Sequence, residues 1–210
     1  EGVAPLLLRR RVKIGKEDPG RLNERLGHPL LPRPPGPLIW LHGASVGESL
    51  SLLALIERLR AERPATTLLI TSGTVTSAQL LAKRLPDGVL HQFAPIDAPG
   101  ACRRFLAHWR PDMVVFAESE FWPNLILGAK AAGAQVVLVS GKMSQASHQG
   151  WTRWPGAARR LFAAYDLILA QGDAPQSGDD TVGGLGVGRM AGRHHRCQTF
   201  VQKLLQNPSG

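Results

Sequence analysis

The 210-residue sequence predicts an α/β fold, a doubly wound and mostly parallel sheet of Rossmann-like type. From Pro37 onward, short β-rich runs alternate with longer runs in which apolar residues recur every three or four positions. The composition, 43% apolar and 20% charged, excludes a disordered or fibrous chain. A chain of this length buries enough surface to form a core without disulfide bonds.

The predicted elements follow in order along the chain. The β-rich runs, predicted as parallel strands, are Leu38 to His42, Thr67 to Thr71, Val89 to Phe93, Met113 to Ala117, Val136 to Ser140 and Leu167 to Ala170. The runs with helical periodicity are Val46 to Glu62, Val75 to Leu85, Ala98 to Trp109, Pro123 to Ala132 and Pro155 to Ala164. Proline at the start of a helix and glycine just after its end are both favourable, as at Pro123 and Gly133.

Changes in composition divide the sequence into three parts. Residues 1–36 are predicted to form a basic juxtamembrane arm and linker, residues 37–171 the Rossmann-like lobe, and residues 172–210 an irregular, glycine-rich tail. The arm has an apolar stretch followed by a basic cluster, an order typical of a segment beside an anionic membrane. A frayed basic terminus explains the same residues equally well.

The formal net charge of +9 favours anionic partners, whether nucleic acid, phosphoryl groups or acidic lipids. The evidence for nucleic acid is weak, because Arg103 and Arg104 fall on a helix whose other face is apolar. The charge alone does not choose between phosphoryl groups and acidic lipids. We expect no nucleic acid, and the order of residues in the arm favours an anionic membrane surface. Cys102 and Cys197 lie far apart without paired ligands, so disulfide bonds and a zinc site are poorly supported. We expect no metal and no cofactor.

The strongest motif is HGASVGES, His42 to Ser49, where the first strand gives way to the first helix. Ligands of doubly wound sheets bind at this edge, and Gly47 allows close approach to the backbone. A phosphate-binding loop is excluded because Glu48 stands where its lysine belongs. Ser45 and Glu48 have the spacing of a capping box, which is one interpretation of Glu48. The other is a general base that removes a proton from a substrate hydroxyl.

A second polar strand exit, meaning a polar segment that directly follows a predicted strand, is AESEFWPN, Ala117 to Asn124. In an extended segment Glu118 and Glu120 project to the same side, and crowded carboxylates can share a proton for acid or base chemistry. The alternative is an ion pair with a nearby arginine, with Trp122 in the core.

Two further exits complete the predicted site. One offers Ser72 and Gly73, and the other, SGKMSQASHQGW, offers Lys142 and Ser144. Each alone is an ordinary helix cap or loop. Together the exits line one edge of one sheet, which favours a substrate pocket there.

These strings together resemble the Kdo transferases, the 3-deoxy-D-manno-octulosonate transferases of lipopolysaccharide assembly. The resemblance runs from about Gly15 to Gly172 and includes IWLHGASVGES, FAPIDAPGACRRFLAHWRPD and ESEFWPN in the family's order. It implies the N-terminal lobe of an inverting GT-B glycosyltransferase, which takes Kdo from CMP-Kdo to lipid IVA, the lipid A precursor.

The resemblance also implies roles for particular residues. Glu48 corresponds to the family's catalytic base and Glu120 to a second important glutamate, while Ser45, Gly47, Ser72, Gly73, Glu118, Lys142 and Ser144 are predicted to bind substrate. It implies a location on the cytoplasmic face of the inner membrane, peripheral or through an N-terminal anchor. We expect that anchor and the donor-binding lobe to be missing here, so the chain corresponds to a truncated acceptor lobe. A non-catalytic module that binds anionic lipid at the membrane is the alternative.

Overall fold

The computed structural model describes residues 4–117, 122–141 and 153–170. The strands are β1 (Leu38–Gly43), β2 (Thr67–Ser72), β3 (Leu90–Phe93), β4 (Met113–Ala117), β5 (Gln135–Gly141) and β6 (Leu167–Ala170). The helices are α1 (Ala4–Lys13), α2 (Leu22–Arg25), α3 (Val46–Ser51), α4 (Leu53–Glu62), α5 (Val75–Arg84), α6 (Pro99–Trp109), α7 (Pro123–Ala131) and α8 (Pro155–Phe162), with a 3-10 turn at Pro19–Arg21.

The six strands form one parallel sheet in the order β3-β2-β1-β4-β5-β6. The predicted doubly wound α/β fold is therefore confirmed. After β3 the chain crosses back to place β4 beside β1, so the topological switch point lies between β1 and β4. In open α/β sheets this crevice, at the carboxyl ends of the strands, is where ligands bind.

Alternate residues of the central strands enter two separate cores. Trp40, Val114 and Phe116 pack on the face covered by α6, α7 and α8. Leu41 and Val115 pack on the opposite face with apolar residues of α4 and α5. Because successive side chains of a strand point to opposite faces, strands buried on both sides need the continuous apolar runs seen in the sequence.

The structure breaks the predicted helix Val46 to Glu62 in two. Leu52 lies between α3 and α4 outside both helices. The Ser51 hydroxyl donates to the carbonyl oxygen of Glu48 at 2.8 Å. Leu52 keeps right-handed helical dihedral angles, and serine side chains that bond to a preceding carbonyl bend helices, so the interruption is a local irregularity at this bond.

Part of the predicted arm packs against the sheet. The Glu24 carboxylate accepts from the Phe93 N–H at 2.6 Å, and the Ile96 N–H donates to the carbonyl oxygen of Arg25 at 2.8 Å. Glu17 is buried and forms ion pairs with Arg11 and Arg25. The boundary near residue 36 stays a prediction from composition, but residues 17–28 are attached to the lobe.

Helix α1 carries the apolar and basic residues of the arm. Leu8 is buried, whereas Leu6 and Leu7 are exposed beside the exposed Arg9 and Arg10. Within the described ranges no helix is both long and apolar enough to cross a bilayer.

Candidate functional site

The turn between β1 and α3 contains the glutamate predicted as a base. Ser45 caps α3 in extended conformation, and its Oγ accepts from the Glu48 N–H at 3.3 Å. The Glu48 side chain turns back: Oε2 accepts from the Ala44 N–H at 2.7 Å and Oε1 from the Ser45 hydroxyl at 3.0 Å. The capping interpretation is therefore confirmed, with the carboxylate bonded to the N–H that precedes the cap residue.

The same hydrogen bonds leave the carboxylate with spare capacity. A carboxylate has about four acceptor positions, and the two bonds from Ala44 and Ser45 occupy two of them. Glu48 is 7% exposed; Ser45 and Gly47, which precede it, are exposed, whereas Ser49, which follows it, is buried. A hydroxyl that reaches the carboxylate from the side of Ser45 and Gly47 can therefore still donate to Glu48, whose orientation the capping bonds fix.

Two glycines of the turn have different environments. A Cβ on Gly43 would lie 2.8 Å from the Ser49 nitrogen and 2.9 Å from the Glu48 carbonyl carbon, so the strand and the first turn of α3 can approach this closely only at glycine. A Cβ on Gly47 would meet nothing within 4 Å. Gly43 shapes the turn, and Gly47 leaves its outer surface open.

The neighbouring turn, between β2 and α5, differs from the prediction. Strand β2 continues one residue further than predicted and includes Ser72, whose buried hydroxyl lies 3.0 Å from His91 Nε2. The Gly73 N–H donates to the Ala44 carbonyl at 3.2 Å, which joins the two turns. Gly73 thus supports the turn of Glu48, whereas the Ser72 hydroxyl contacts His91 of β3; substrate binding by either residue stays a prediction.

A buried polar group that the sequence analysis did not single out lies at the switch point. His42, the last histidine before the turn, has its Nδ1 2.8 Å from Thr71 Oγ1, and its ring contacts those of Phe116 and Trp122. Burial, aided by the charge of Arg25, lowers the pKa of His42 to about 3. The imidazole is therefore neutral at physiological pH. The sequence signal that could have identified His42 is its position at the start of the HGASVGES motif.

Asp97, in the string FAPIDAPG, was also missed. Its carboxylate accepts from the N–H groups of Asn124 and Leu125 at 3.2 and 3.0 Å, and so caps α7 from outside. It also lies 3.5 Å from Cys102 Sγ. Burial and the Asp97 charge raise the pKa of the Cys102 thiol, so this cysteine is an unreactive packing residue. No sequence pattern links a carboxylate to a helix that begins 26 residues later.

The structure brings four predicted residues together in the two joined turns, namely Ser45, Gly47, Glu48 and Gly73. The other predicted site residues outside β2 lie beyond the described residues: Glu118, Glu120, Lys142 and Ser144. So do the predicted tail and the first three residues of the arm.

Comparison with known proteins decides the family of this lobe. The family model for 3-deoxy-D-manno-octulosonic-acid transferase (kdotransferase) matches residues 20–182, well over half of the sequence. This chain belongs to the Kdo transferase family. The family resemblance inferred from the motifs is confirmed.

Individual Kdo transferase relatives agree with the family match. A probable mitochondrial 3-deoxy-D-manno-octulosonic acid transferase from Arabidopsis thaliana is 41% identical over 72% of this chain and 34% of its own length. A 3-deoxy-D-manno-octulosonic acid transferase from Rickettsia bellii is 36% identical over 78% of this chain and 39% of its own. The chain therefore spans between a third and two fifths of these relatives.

Similarity to solved structures is more distant. A putative UDP-N-acetylglucosamine 2-epimerase from Listeria monocytogenes has a TM-score of 0.46 and 13% identity, over 63% of this chain and 38% of that one.

Proposed function

We propose that this chain is the acceptor-binding lobe of an inverting glycosyltransferase that transfers Kdo from CMP-Kdo to lipid IVA in lipopolysaccharide biosynthesis. The observation that carries the proposal is the placement of Glu48. Its carboxylate is held by two hydrogen bonds in the β1–α3 turn, on the carboxyl edge of the sheet, with acceptor positions to spare. Membership of the Kdo transferase family supplies the class of reaction.

In the proposed reaction, Glu48 accepts the proton of a lipid IVA hydroxyl as that oxygen attacks the anomeric carbon of Kdo. The bond between this carbon and the phosphate oxygen of CMP breaks, and CMP leaves with the electron pair. Attack from the face opposite the leaving group inverts the anomeric centre. The step forms no covalent enzyme intermediate.

The remaining assignments are proposals that rest on the family resemblance. Glu120 acts as the second catalytic carboxylate, and Glu118, Lys142 and Ser144 bind substrate with Ser45 and Gly47. CMP-Kdo binds to a donor lobe supplied by further sequence, and the enzyme works at the cytoplasmic face of the inner membrane. The exposed leucines and arginines of α1 support contact with an anionic bilayer, because such a helix combines apolar burial with attraction to acidic headgroups.

The decisive experiment replaces Glu48 by glutamine in a full-length enzyme that carries this lobe and a donor lobe. Glutamine also closes a capping box, so Glu48→Gln separates the base from the cap. We expect the transfer rate from CMP-Kdo to lipid IVA to fall by about 10²–10⁴-fold. Glu57→Gln, at an exposed position of α4, is the matched control and should transfer at the normal rate. Near-normal transfer by Glu48→Gln would leave Glu48 only its capping role.

The alternative function, a non-catalytic module that binds anionic lipid, is favoured by one observation. Helix α1 exposes the adjacent Leu6 (69%) and Leu7 (54%) beside arginines, and grouped exposed apolar side chains are typical of interaction surfaces. Co-sedimentation of the chain with phosphatidylglycerol vesicles, compared with phosphatidylcholine vesicles, tests this binding. Lipid IVA binding without any Kdo transfer, in the presence of a donor lobe, would favour the module over the enzyme.

A further inference from the structure

A buried chain of hydrogen bonds ends at the switch point of the sheet. The indole N–H of Trp40, on β1, donates to Thr71 Oγ1, on β2, at 2.8 Å. The same hydroxyl lies 2.8 Å from His42 Nδ1. All three side chains are at most 1% exposed, so water does not compete for these bonds.

The distances around the Thr71 hydroxyl favour one tautomer of His42. An indole nitrogen can only donate, so the Thr71 hydroxyl accepts from Trp40 and has one hydrogen to give. Its two possible acceptors are His42 Nδ1 at 2.8 Å and the Leu41 carbonyl oxygen at 3.5 Å, which is long for a hydrogen bond. Donation to Nδ1 leaves the proton of the neutral ring on Nε2.

Two ring nitrogens at this place have no hydrogen-bond partner. Among the described residues, His42 Nε2 and Trp122 Nε1 are buried without one. The two rings are perpendicular, with centroids 5.4 Å apart, and they lie between the end of β1 and the start of α7. A buried N–H without an acceptor is costly, so with His42 in the Nε2–H form the two rings present two unpaired donors at the switch point, and an oxygen acceptor would satisfy them.

We propose that His42 and Trp122 form a donor pair that binds one oxygen of the sugar substrate, and that Thr71 is the positioning residue that fixes His42 as the Nε2–H tautomer. The proposal rests on the proposed function, because it assigns a subsite to the same cleft. In this arrangement two uncharged donors lie at the switch point, and the turn that contains Glu48 follows His42 directly in the sequence. An uncharged donor suits a sugar oxygen because it adds no cation next to the base.

The burial that keeps His42 neutral agrees with this role, since a protonated ring would donate from both nitrogens and lose its bond from Thr71. Of the charged groups in the described chain, Arg25 is the one whose field acts on this ring, and it also opposes protonation.

The first test reads the tautomer directly. Nitrogen-15 NMR of the labelled full chain, with the His42 signal assigned from its loss in His42→Gln, should show a neutral ring protonated on Nε2 at pH 7. Thr71→Val should convert it to a mixture of tautomers, whereas Thr76→Val, at an exposed position of α5, should leave it unchanged. A ring protonated on Nδ1, or on both nitrogens, at pH 7 would overturn the proposal.

The second test adds two probes, lipid IVA in detergent micelles and free Kdo. The probe that supplies the oxygen should shift the ring N–H signals of both His42 and Trp122, and Trp122→Phe should weaken its binding by about three- to tenfold. Trp154→Phe is the matched control, because Trp154 also precedes a helix that begins with proline but is 71% exposed.

The outcomes separate this proposal from the proposed function. Lipid IVA binding that shifts backbone signals of the Ser45–Glu48 turn, with no shift of either ring from either probe, overturns the donor pair and retains the acceptor lobe. A ring response to Kdo without lipid IVA binding retains the pair and contradicts the acceptor lobe. Failure of both probes to bind contradicts both.

Discussion

The two turns that meet at the carboxyl edge of the sheet are built alike but differ in chemistry. In the β1–α3 turn Ser45 caps the N–H of Glu48, and in the β2–α5 turn Thr74 caps the N–H of Ser77 at 3.1 Å. In each turn the third helical residue bonds back to the capping hydroxyl, through a carboxylate in one and the Ser77 hydroxyl in the other.

The comparison of the two turns shows that a helix cap on this sheet does not require a charged residue. The β2–α5 turn closes its cap with an uncharged, fully buried serine, so a capped turn on this sheet does not need a carboxylate. In the β1–α3 turn the same position is occupied by a carboxylate that is only 7% exposed. Burial of a charge is unfavourable, so Glu48 costs more than the cap alone demands, which favours a chemical role.

The largest expected effect on stability tests whether glycine is required at Gly43, where β1 and α3 approach each other in the first turn. Gly43→Ala should lower the free energy of unfolding by about 3 kcal/mol, because its Cβ would meet the backbone of α3. Gly47→Ala, in the same turn, should change it by less than about 0.5 kcal/mol since that side is open. Urea unfolding of both variants measures the difference. Equal effects would contradict the close approach of strand and helix at Gly43.

The strands that precede the two turns are joined by the bond between His42 and Thr71, and this predicts acid sensitivity. The pKa of His42 is about 3 in the folded protein and about 6.5 when unfolded. The unfolded chain therefore binds the proton first, and stability that is complete above pH 6.5 falls as the pH decreases towards 3. Between pH 7 and pH 5 the loss due to His42 should be about 2 kcal/mol.

Urea unfolding at several pH values isolates this contribution. His42→Gln should be less stable at pH 7 but should lose less stability between pH 7 and pH 5 than the unmodified chain. His28→Gln, at an exposed position, should keep the full pH dependence. An unchanged slope in His42→Gln would show that His42 does not contribute to the loss of stability, which would then fall to other buried groups such as His91, whose pKa burial lowers to about 4.

These contrasts also show which features a sequence can predict. The strand positions agree with the prediction within one or two residues, because burial on both faces requires apolar runs that are visible locally. The burial of Ser72 depends on a strand that is one residue longer than predicted, and its partner His91 is 19 residues away. The docking of residues 17–28 depends on buried ion pairs and on bonds to β3 about 70 residues later, for which no local pattern exists.

The candidate site divides in the same way. The capping box at Ser45 and Glu48 was predictable, since both partners lie within one turn of helix. The bond between His42 and Thr71 spans 29 residues and exists only because β1 and β2 are neighbours in register. Sequence analysis therefore finds the Ser45–Glu48 turn and misses the buried bond between His42 and Thr71.

Removal of each capping hydroxyl sharpens the comparison of the turns. Ser45→Ala and Thr74→Ala should each lower the free energy of unfolding by about 1 kcal/mol, because each leaves a helix N–H without its acceptor. Thermal or urea unfolding gives the values. A much larger effect at Ser45 would mean that its bond to the Glu48 carboxylate contributes more to folding than the uncharged pair at Thr74.

The smallest expected effect is the most informative about Glu48. Glu48→Gln should change the free energy of unfolding by no more than about 0.5 kcal/mol, since the amide oxygen can accept from the Ala44 N–H and the amide nitrogen can donate to Ser45 Oγ. Glu48→Ala should cost about 1–2 kcal/mol, because the buried Ala44 N–H then loses its acceptor. Unfolding measurements on both variants, compared with the transfer rate of Glu48→Gln, separate the two roles of this side chain. If Glu48→Gln is stable but transfers no sugar, the charge serves the chemistry. If Glu48→Gln unfolds as readily as Glu48→Ala, the charge serves the cap.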